Sequence, residues 1–242
     1  MTDPIFAESR LAAVYDAFDG ARDDLAPYVA IADEQGARSV LDIGCGTGTL
    51  ACLLAARGIE VVGVDPAAAS LDVARRKPGA ERVRLVHGDA TSLPPLQVDL
   101  VTMTANVAQV FLDDGAWAAT LGAARAALRP GGRLVFESRR PERLAWLEWD
   151  RERSLRRAVV PGTGAVETWV EVTDVRGDLV SFRWTFVFED DGAVLTSDST
   201  LRFRGREELT DAVRAAGLVL AEVRDAPDRP GAEHVLIARR PG

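Results

Sequence analysis

Five short apolar runs rich in branched side chains organise the first part of the chain: Val40–Ile43, Val61–Val64, Val83–Val86, Leu100–Met103 and Leu134–Phe136. Segments of helical periodicity separate most of them. That alternation predicts a parallel sheet covered on both faces by helices. Leu50, Leu53 and Leu54 mark the inner face of one helix, which Gly58 should stop. Trp117, Leu121, Ala124 and Leu128 repeat at helical spacing, with Asp113 and Asp114 placed to cap the start. Arg129-Pro130-Gly131-Gly132 then breaks that helix before the fifth strand. Upstream, Phe6–Phe18 and Arg22–Gln35 read as helices, the second closed by Gly36.

After Asp150 the period changes from helical to twofold. Val166, Thr168, Val170 and Val172 alternate with Glu167, Trp169 and Glu171, and Val180 to Phe188 and Leu195 to Phe203 repeat the pattern. Arg176-Gly177-Asp178 and Asp190-Asp191-Gly192 are turn signals between these segments. They predict an antiparallel three-stranded insertion. A helix over Arg206–Ala216 and strands over Val219–Arg224 and His234–Arg239 complete the main sheet.

The segment Val40-Leu-Asp-Ile-Gly-Cys-Gly-Thr-Gly-Thr49 carries the chemistry. A strand runs into three glycines at alternate positions, and a helix follows. Glycine lets the backbone turn sharply and approach a ligand with no Cβ in the way. Such a loop lies at the carboxyl end of a strand, where α/β sheets bind ligands. Dinucleotide enzymes use Gly-x-Gly-x-x-Gly, so that a diphosphate rests on the helix N-terminus. Here the third place is Thr49, and Asp42 stands two residues before the first glycine. A carboxylate repels a diphosphate and attracts a cation, so Coulomb's law favours a positively charged nucleoside, S-adenosylmethionine (SAM). Asp65, at the end of the second apolar run, is placed to accept both ribose hydroxyls. Nicotinamide enzymes use the same device, so Asp65 supports adenosine without choosing the cofactor. Asp89 can accept from the adenine amino group, with the Ala90 amide facing a ring nitrogen.

Composition narrows the partners. Of the 242 residues, 47% are hydrophobic and 27% charged, and the net charge is -8. Duplex nucleic-acid binders need excess Lys and Arg to displace counterions, so no nucleic-acid partner is expected. Arg151 to Arg157 is the one basic stretch, and interspersed Glu152 makes it a solvated, helical face. No apolar run approaches the roughly 18 residues of a membrane span, so no membrane partner is expected. The N-terminus lacks a signal-peptide core, and a cytoplasmic address follows. With two histidines and two closely spaced cysteines, Cys45 and Cys52, neither a disulfide framework nor a metal site is expected.

Leu-Asp-Ile-Gly-Cys-Gly-Thr-Gly, Val-Gly-Val-Asp-Pro, Gly-Asp-Ala and Leu-Arg-Pro-Gly-Gly-Arg-Leu-Val resemble, in order and spacing, the successive motifs of class I SAM-dependent methyltransferases of the small-molecule type. The resemblance covers residues 39–138 and is weaker on either side. It implies an α/β, Rossmann-like doubly wound seven-stranded sheet with helices on both faces, carrying the insertion after its fifth strand. Within one domain it places N-terminal helices over 1–37, the SAM-binding core over 38–138, a substrate-cover insertion over 139–205, and the C-terminal helix and hairpin over 206–242. It implies a cofactor site lined by Asp42, Gly44, Cys45, Gly46, Asp65, Pro66, Asp89, Ala90, Asn106 and Val107, with S-adenosyl-L-homocysteine as product.

The acceptor side is open. Tyr15, Arg139, Trp146 and Trp184 are candidates to meet a substrate, and Glu137 and Arg139 are candidates for catalysis. The tryptophans read equally as core beneath the extra sheet or as a lid over an acceptor. Arg139 could bind an anionic acceptor or be a solvated charge. His87 and His234 read as structural. Methyl transfer from a sulfonium is an in-line displacement with a neutral leaving group, so proximity and orientation suffice and a base is needed only if the acceptor must lose a proton. Thr104–Gln109 lacks the element of nucleobase amino-methylating enzymes, the nucleophilic cysteine of cytosine C5 enzymes, the metal cluster of catechol enzymes and the acidic pocket of aminopropyltransferases. A small-molecule O- or N-nucleophile is the expected acceptor. A non-catalytic SAM-binding module and an NAD-dependent oxidoreductase are the alternatives.

Overall fold

The computed structural model describes residues 2–20 and 22–242. Two short helices, α1 (Pro4–Ala7) and α2 (Ser9–Phe18), open the chain, and α3 (Ala26–Glu34) follows a single 3-10 turn. The sequence reads as one helix across Phe6–Phe18. The chain instead breaks at Glu8, which is extended and whose carboxylate caps α2 by accepting from the Leu11 amide at 2.8 Å.

β1 (Ser39–Ile43), α4 (Thr49–Ala56), β2 (Glu60–Asp65), α5 (Ala68–Ala74), β3 (Val83–His87), β4 (Val98–Met103), α6 (Asp114–Ala127) and β5 (Leu128–Arg139) then alternate. After the insertion come α8 (Arg206–Ala215), β10 (Val219–Asp225) and β11 (Glu233–Arg239). The main sheet is seven-stranded, in the order β10-β11-β5-β4-β1-β2-β3. β3, β2, β1, β4 and β5 are parallel, β11 runs antiparallel beside β5, and β10, antiparallel to β11, points the same way as the first five. The order reverses between β1 and β4, and that crevice is where such sheets bind ligands.

The continuous apolar strands are explained by burial on both faces. Val40, Leu100 and Val135 pack against Tyr28, Leu50 and Leu54 of α3 and α4. Leu41, Val101 and Phe136 pack against Trp117, Leu121 and Val213 of α6 and α8. Leu53, expected on the inner face of α4, is 43% exposed, because Leu50 and Leu54 already fill the side against the sheet. Asp113 caps α6 by accepting from the Ala116 amide at 3.0 Å.

Between β5 and α8 lies a separate antiparallel sheet of four strands, β6 (Arg156–Val160), β7 (Gly164–Arg176), β8 (Leu179–Phe188) and β9 (Val194–Arg202), in that order. The sequence pattern shows three of them. The fourth, β6, comes from the basic stretch read as helical. There α7 is a single turn, Arg151–Ser154, and Arg156 and Arg157 pair with Thr168 and Glu167 of β7. Its five residues show no clean alternation, so only the ladder to β7 makes it a strand. The inner face of this sheet covers the N-terminal helices: Val166, Phe186 and Phe188 bury Ile5, Leu11 and Val14. Among the described residues, no helix is long and apolar enough to cross a membrane.

Candidate cofactor site

The turn after β1 is built on left-handed backbone. Gly44, Gly46 and Gly48 have φ of 70°, 52° and 76°. At Gly44 a Cβ would stand 2.6 Å from Val107 Cγ2, so the glycine is needed for space as well as conformation. The amides of Gly44 and Cys45 both donate to the Val64 carbonyl, at 2.9 and 3.2 Å, which fastens the turn to β2.

Two carboxylates sit beside that turn. Asp42 is 2% exposed, pairs in register with Thr102 and accepts from its hydroxyl at 2.7 Å. Burial pushes its carboxyl up to about 7; the Thr102 bond opposes this and nearby Asp65 adds to it. Asp65 closes β2. Its two oxygens accept from the Gly46 and Ala67 amides, each at 2.8 Å. Burial raises its carboxyl above the ordinary range, against those two amide bonds. Each oxygen keeps a further acceptor site, as a ribose diol requires.

A cavity of about 1010 Å³ opens at this edge. It brings together Tyr15, Asp42, Gly44, Cys45, Gly46, Asp65, Pro66, Asp89, Ala90 and Val107. Cys45 packs under Gly63, and burial pushes its thiol up, away from the reactive thiolate. Asp89 spends one oxygen on its own turn, accepting from the Thr91 amide and hydroxyl and the Ser92 amide. His87 Nε2 lies 3.0 Å from the Pro66 carbonyl. The cavity continues to the insertion, where Thr173, Ser181, Ser199 and Thr200 line it.

Residues 40–132 match the family described as "Methyltransferase domain". Residues 40–132 form a class I SAM-dependent methyltransferase domain. Demethylmenaquinone methyltransferase of Thermus thermophilus is 40% identical over 113 residues, 44% of this chain and 50% of that protein. Its counterpart in Clavibacter sepedonicus is 38% identical over 110 residues, 44% of this chain and 43% of that protein. The match thus spans about half the length of these relatives. A SAM-bound amino pentose methyltransferase from Micromonospora echinaspora is 27% identical in sequence, with a TM-score of 0.69 over 94% of this chain and 96% of its own. A SAM-dependent methyltransferase from Clostridium acetobutylicum, 18% identical, shares the fold with a TM-score of 0.78 over 96% and 98% of the two chains.

In this methyltransferase domain the donor set fits SAM: acceptors at Asp65 for a diol, carboxylates at Asp42 and Asp65 for positive charge, and a glycine cradle closed to a Cβ at Gly44. Asn106 lies elsewhere than expected. It lines a second, smaller cavity with Arg139, and its side chain is 3% exposed. Its amide donates to Glu137 Oε1 and its Nδ2 to Glu233 Oε1, both at 3.0 Å. Ala105 and Asn106 both have positive φ, 55° and 60°, and the two buried carboxylates hold that strained corner in place.

Glu137, a candidate for catalysis, is 2% exposed and lines neither cavity. Its carboxylate accepts from the Tyr28 hydroxyl and the Asn106 amide, and burial beside Glu233 holds its carboxyl well above the usual range. It supports the turn after β4 from beneath. Trp146 and Trp184, weighed as an acceptor lid, also line neither cavity. Trp146 packs edge-on against Phe203 at 4.6 Å, and Trp184 lies 6.3 Å from Phe186 among the side chains facing the N-terminal helices. Tyr15 lines both cavities, and burial together with Asp19 raises its hydroxyl above the ordinary range.

Sequence reasoning missed Arg22, Thr47 and Lys77. Arg22, at φ 56°, lines both cavities. Thr47 donates to Asp16 Oδ1 at 2.6 Å, and Lys77 Nζ donates to Thr47 and Thr49 at 3.0 and 2.5 Å. The only signal for this clasp was that Lys77 is the chain's single lysine among 29 basic residues.

Proposed function

We propose that the protein transfers the methyl group of SAM to an O- or N-nucleophile of a small polar molecule. One observation carries this reading: a single cavity runs from Asp65 and the glycine turn to the hydroxyl-bearing wall of the insertion, with volume for a nucleoside and a second small molecule together. The neighbouring amino pentose methyltransferase supports a small-molecule acceptor.

When bound, SAM supplies a methyl carbon whose bond to sulfur breaks as the acceptor's lone pair attacks, the bonding pair staying on sulfur and the acceptor's proton passing to water. The chain's own part is to bind and orient. Asp65 takes the ribose hydroxyls. Asp42 offers negative charge beneath the turn, and Gly44 lets the ligand lie against the backbone. The N-terminal helices, wedged under the insertion by Ile5, Leu11 and Val14, exclude water from the top of the cavity. Alignment inside a closed site supplies most of the rate, so no base dyad is required. The insertion acts as the substrate cover within one methyltransferase domain.

The test is direct. Calorimetry with SAM, S-adenosylhomocysteine and NAD should show the adenosyl ligands binding, and SAM with a panel of amines, amino sugars and alcohols should yield S-adenosylhomocysteine. Tight NAD binding with no response to SAM would overturn the reading. SAM binding without turnover across the panel would favour a non-catalytic module.

A further inference from the structure

The second cavity, about 440 Å³, adjoins the first across Tyr15, Arg22 and Ala105. Three arginines face it, and their partners differ. Arg22 is neutralised by Asp19 and Asp24, at 2.9 and 3.1 Å. Arg229 is neutralised by Asp228 and Glu233, at 2.8 and 2.9 Å. Arg139 is not. Its Nη1 donates to the neutral amide oxygen of Gln109 at 3.1 Å. The nearest carboxylate, Glu233, stands 3.8 Å from its Nε through Oε1, the oxygen that also takes Asn106 and Arg229. Among the described residues, Arg139 is the cation of this cavity with no carboxylate within hydrogen-bond distance.

A quarter of the Arg139 side chain is exposed, and the Trp149 ring stands 5.7 Å from its guanidinium carbon. A guanidinium has five donors in a planar fork, so most of its capacity is unused here. Removing a cation from water with only a distant counter-charge is costly, and the fork matches the paired oxygens of a carboxylate or phosphate. The third acid of the wall, Asp23, and the acids paired to Arg22 lie on the N-terminal side, so the cavity is acidic there and basic at Arg139.

We propose that Arg139 anchors an oxyanion, a carboxylate or phosphate, carried by the methyl acceptor, so that the acceptor's nucleophile reaches the main cavity past Tyr15. This rests on the methyltransferase reading, and it narrows the acceptor to a small anionic molecule. The corner at Ala105–Asn106, pinned by Glu137 and Glu233, then separates cofactor from anchor. Arg139 is a binding residue here and takes no proton.

Two measurements test it. The first needs no acceptor. The S-adenosylhomocysteine-saturated protein is titrated with inorganic phosphate and with malonate, and tryptophan fluorescence is followed. A saturable change that disappears in Arg139→Gln and in Trp149→Phe is expected; no saturable change in the parent protein would overturn the anchor. The second compares matched acceptors, ethanolamine with phosphoethanolamine and ethylamine with β-alanine, by release of S-adenosylhomocysteine. The anionic member of each pair should win by about tenfold or more in kcat/KM. Arg139→Gln should raise the acceptor KM and leave the SAM KM within about twofold, with Arg139→Lys restoring part of the preference. Equal rates within pairs, or equal rises in both KM values, would overturn it. SAM binding by calorimetry is scored separately: its failure rejects the methyltransferase reading, whereas a lost phosphate response with SAM still bound rejects the anchor alone.

Discussion

Lys77 Nζ stands 2.7 Å from the Asp16 carboxylate, which ties the loop after α5 to the N-terminal helix. Both side chains also bind Thr47 of the glycine turn, so three elements distant in sequence meet at one ammonium. Replacing Lys77 by Met should release α2 from the turn and weaken SAM binding by about 1 kcal/mol, roughly fivefold, chiefly through faster dissociation. Stopped-flow displacement of SAM would measure it. The wild-type protein offers a second readout, because Lys77 is the single side-chain amine: acylation of Lys77 should slow when SAM is bound. Unchanged dissociation and unchanged acylation would show that the clasp is only structural.

Asp65→Ala removes a carboxylate that binds two backbone amides and faces the cavity. SAM affinity should fall by about 1–3 kcal/mol, the range for lost hydrogen bonds to a charged group. Calorimetry checks this, and an unchanged dissociation constant would remove Asp65 from the site.

Gly44→Ala places a methyl group against Val107 on backbone at φ 70°. The left-handed conformation alone should cost roughly 1–2 kcal/mol of stability. SAM binding should fall further, because Val107 must move into the cavity. Adding Val107→Ala should recover part of the binding but not the backbone cost. Thermal unfolding and calorimetry on the single and double variants separate the two effects.

Asp42 titrates near 7 in the folded protein against about 4 in an unfolded chain. The folded state therefore holds this proton more tightly. Its contribution to stability is full below about pH 4 and is lost as pH rises towards 7. A cationic cofactor favours the ionised form, so SAM binding below pH 7 should expel a proton and tighten as pH rises through that value. Calorimetry in buffers of different ionisation enthalpy reads the proton directly. Asp42→Asn should abolish the release, and a release of the same size in that variant would assign the proton to another group.

Much of the site was legible because its chemistry is local. The turn after β1 is written in ten adjacent residues, Asp42 and Asp65 stand at or next to the ends of apolar runs whose composition identifies them as strands, and Asp89 follows a third such run by three residues. The cap at Asp113 is equally local, since its partner is three residues away. Leu53 shows the limit even within one helix: a stripe of leucines says which side is apolar, and only the packed sheet selects Leu50 and Leu54.

The sequence by itself determined the parallel sheet, its antiparallel insertion, the glycine turn and the acidic groups around it, because side-chain periodicity and turn conformation are properties of neighbouring residues. Tertiary structure alone decided that Asn106 is held from below by Glu137 and Glu233, 31 and 127 residues away. It also decided that β6 joins the insertion, that Trp146 and Trp184 pack into apolar contacts and line neither cavity, and that Arg139 has no carboxylate within hydrogen-bond distance. Those outcomes depend on strand register and crossover, which bring together groups with no local signal of their partners.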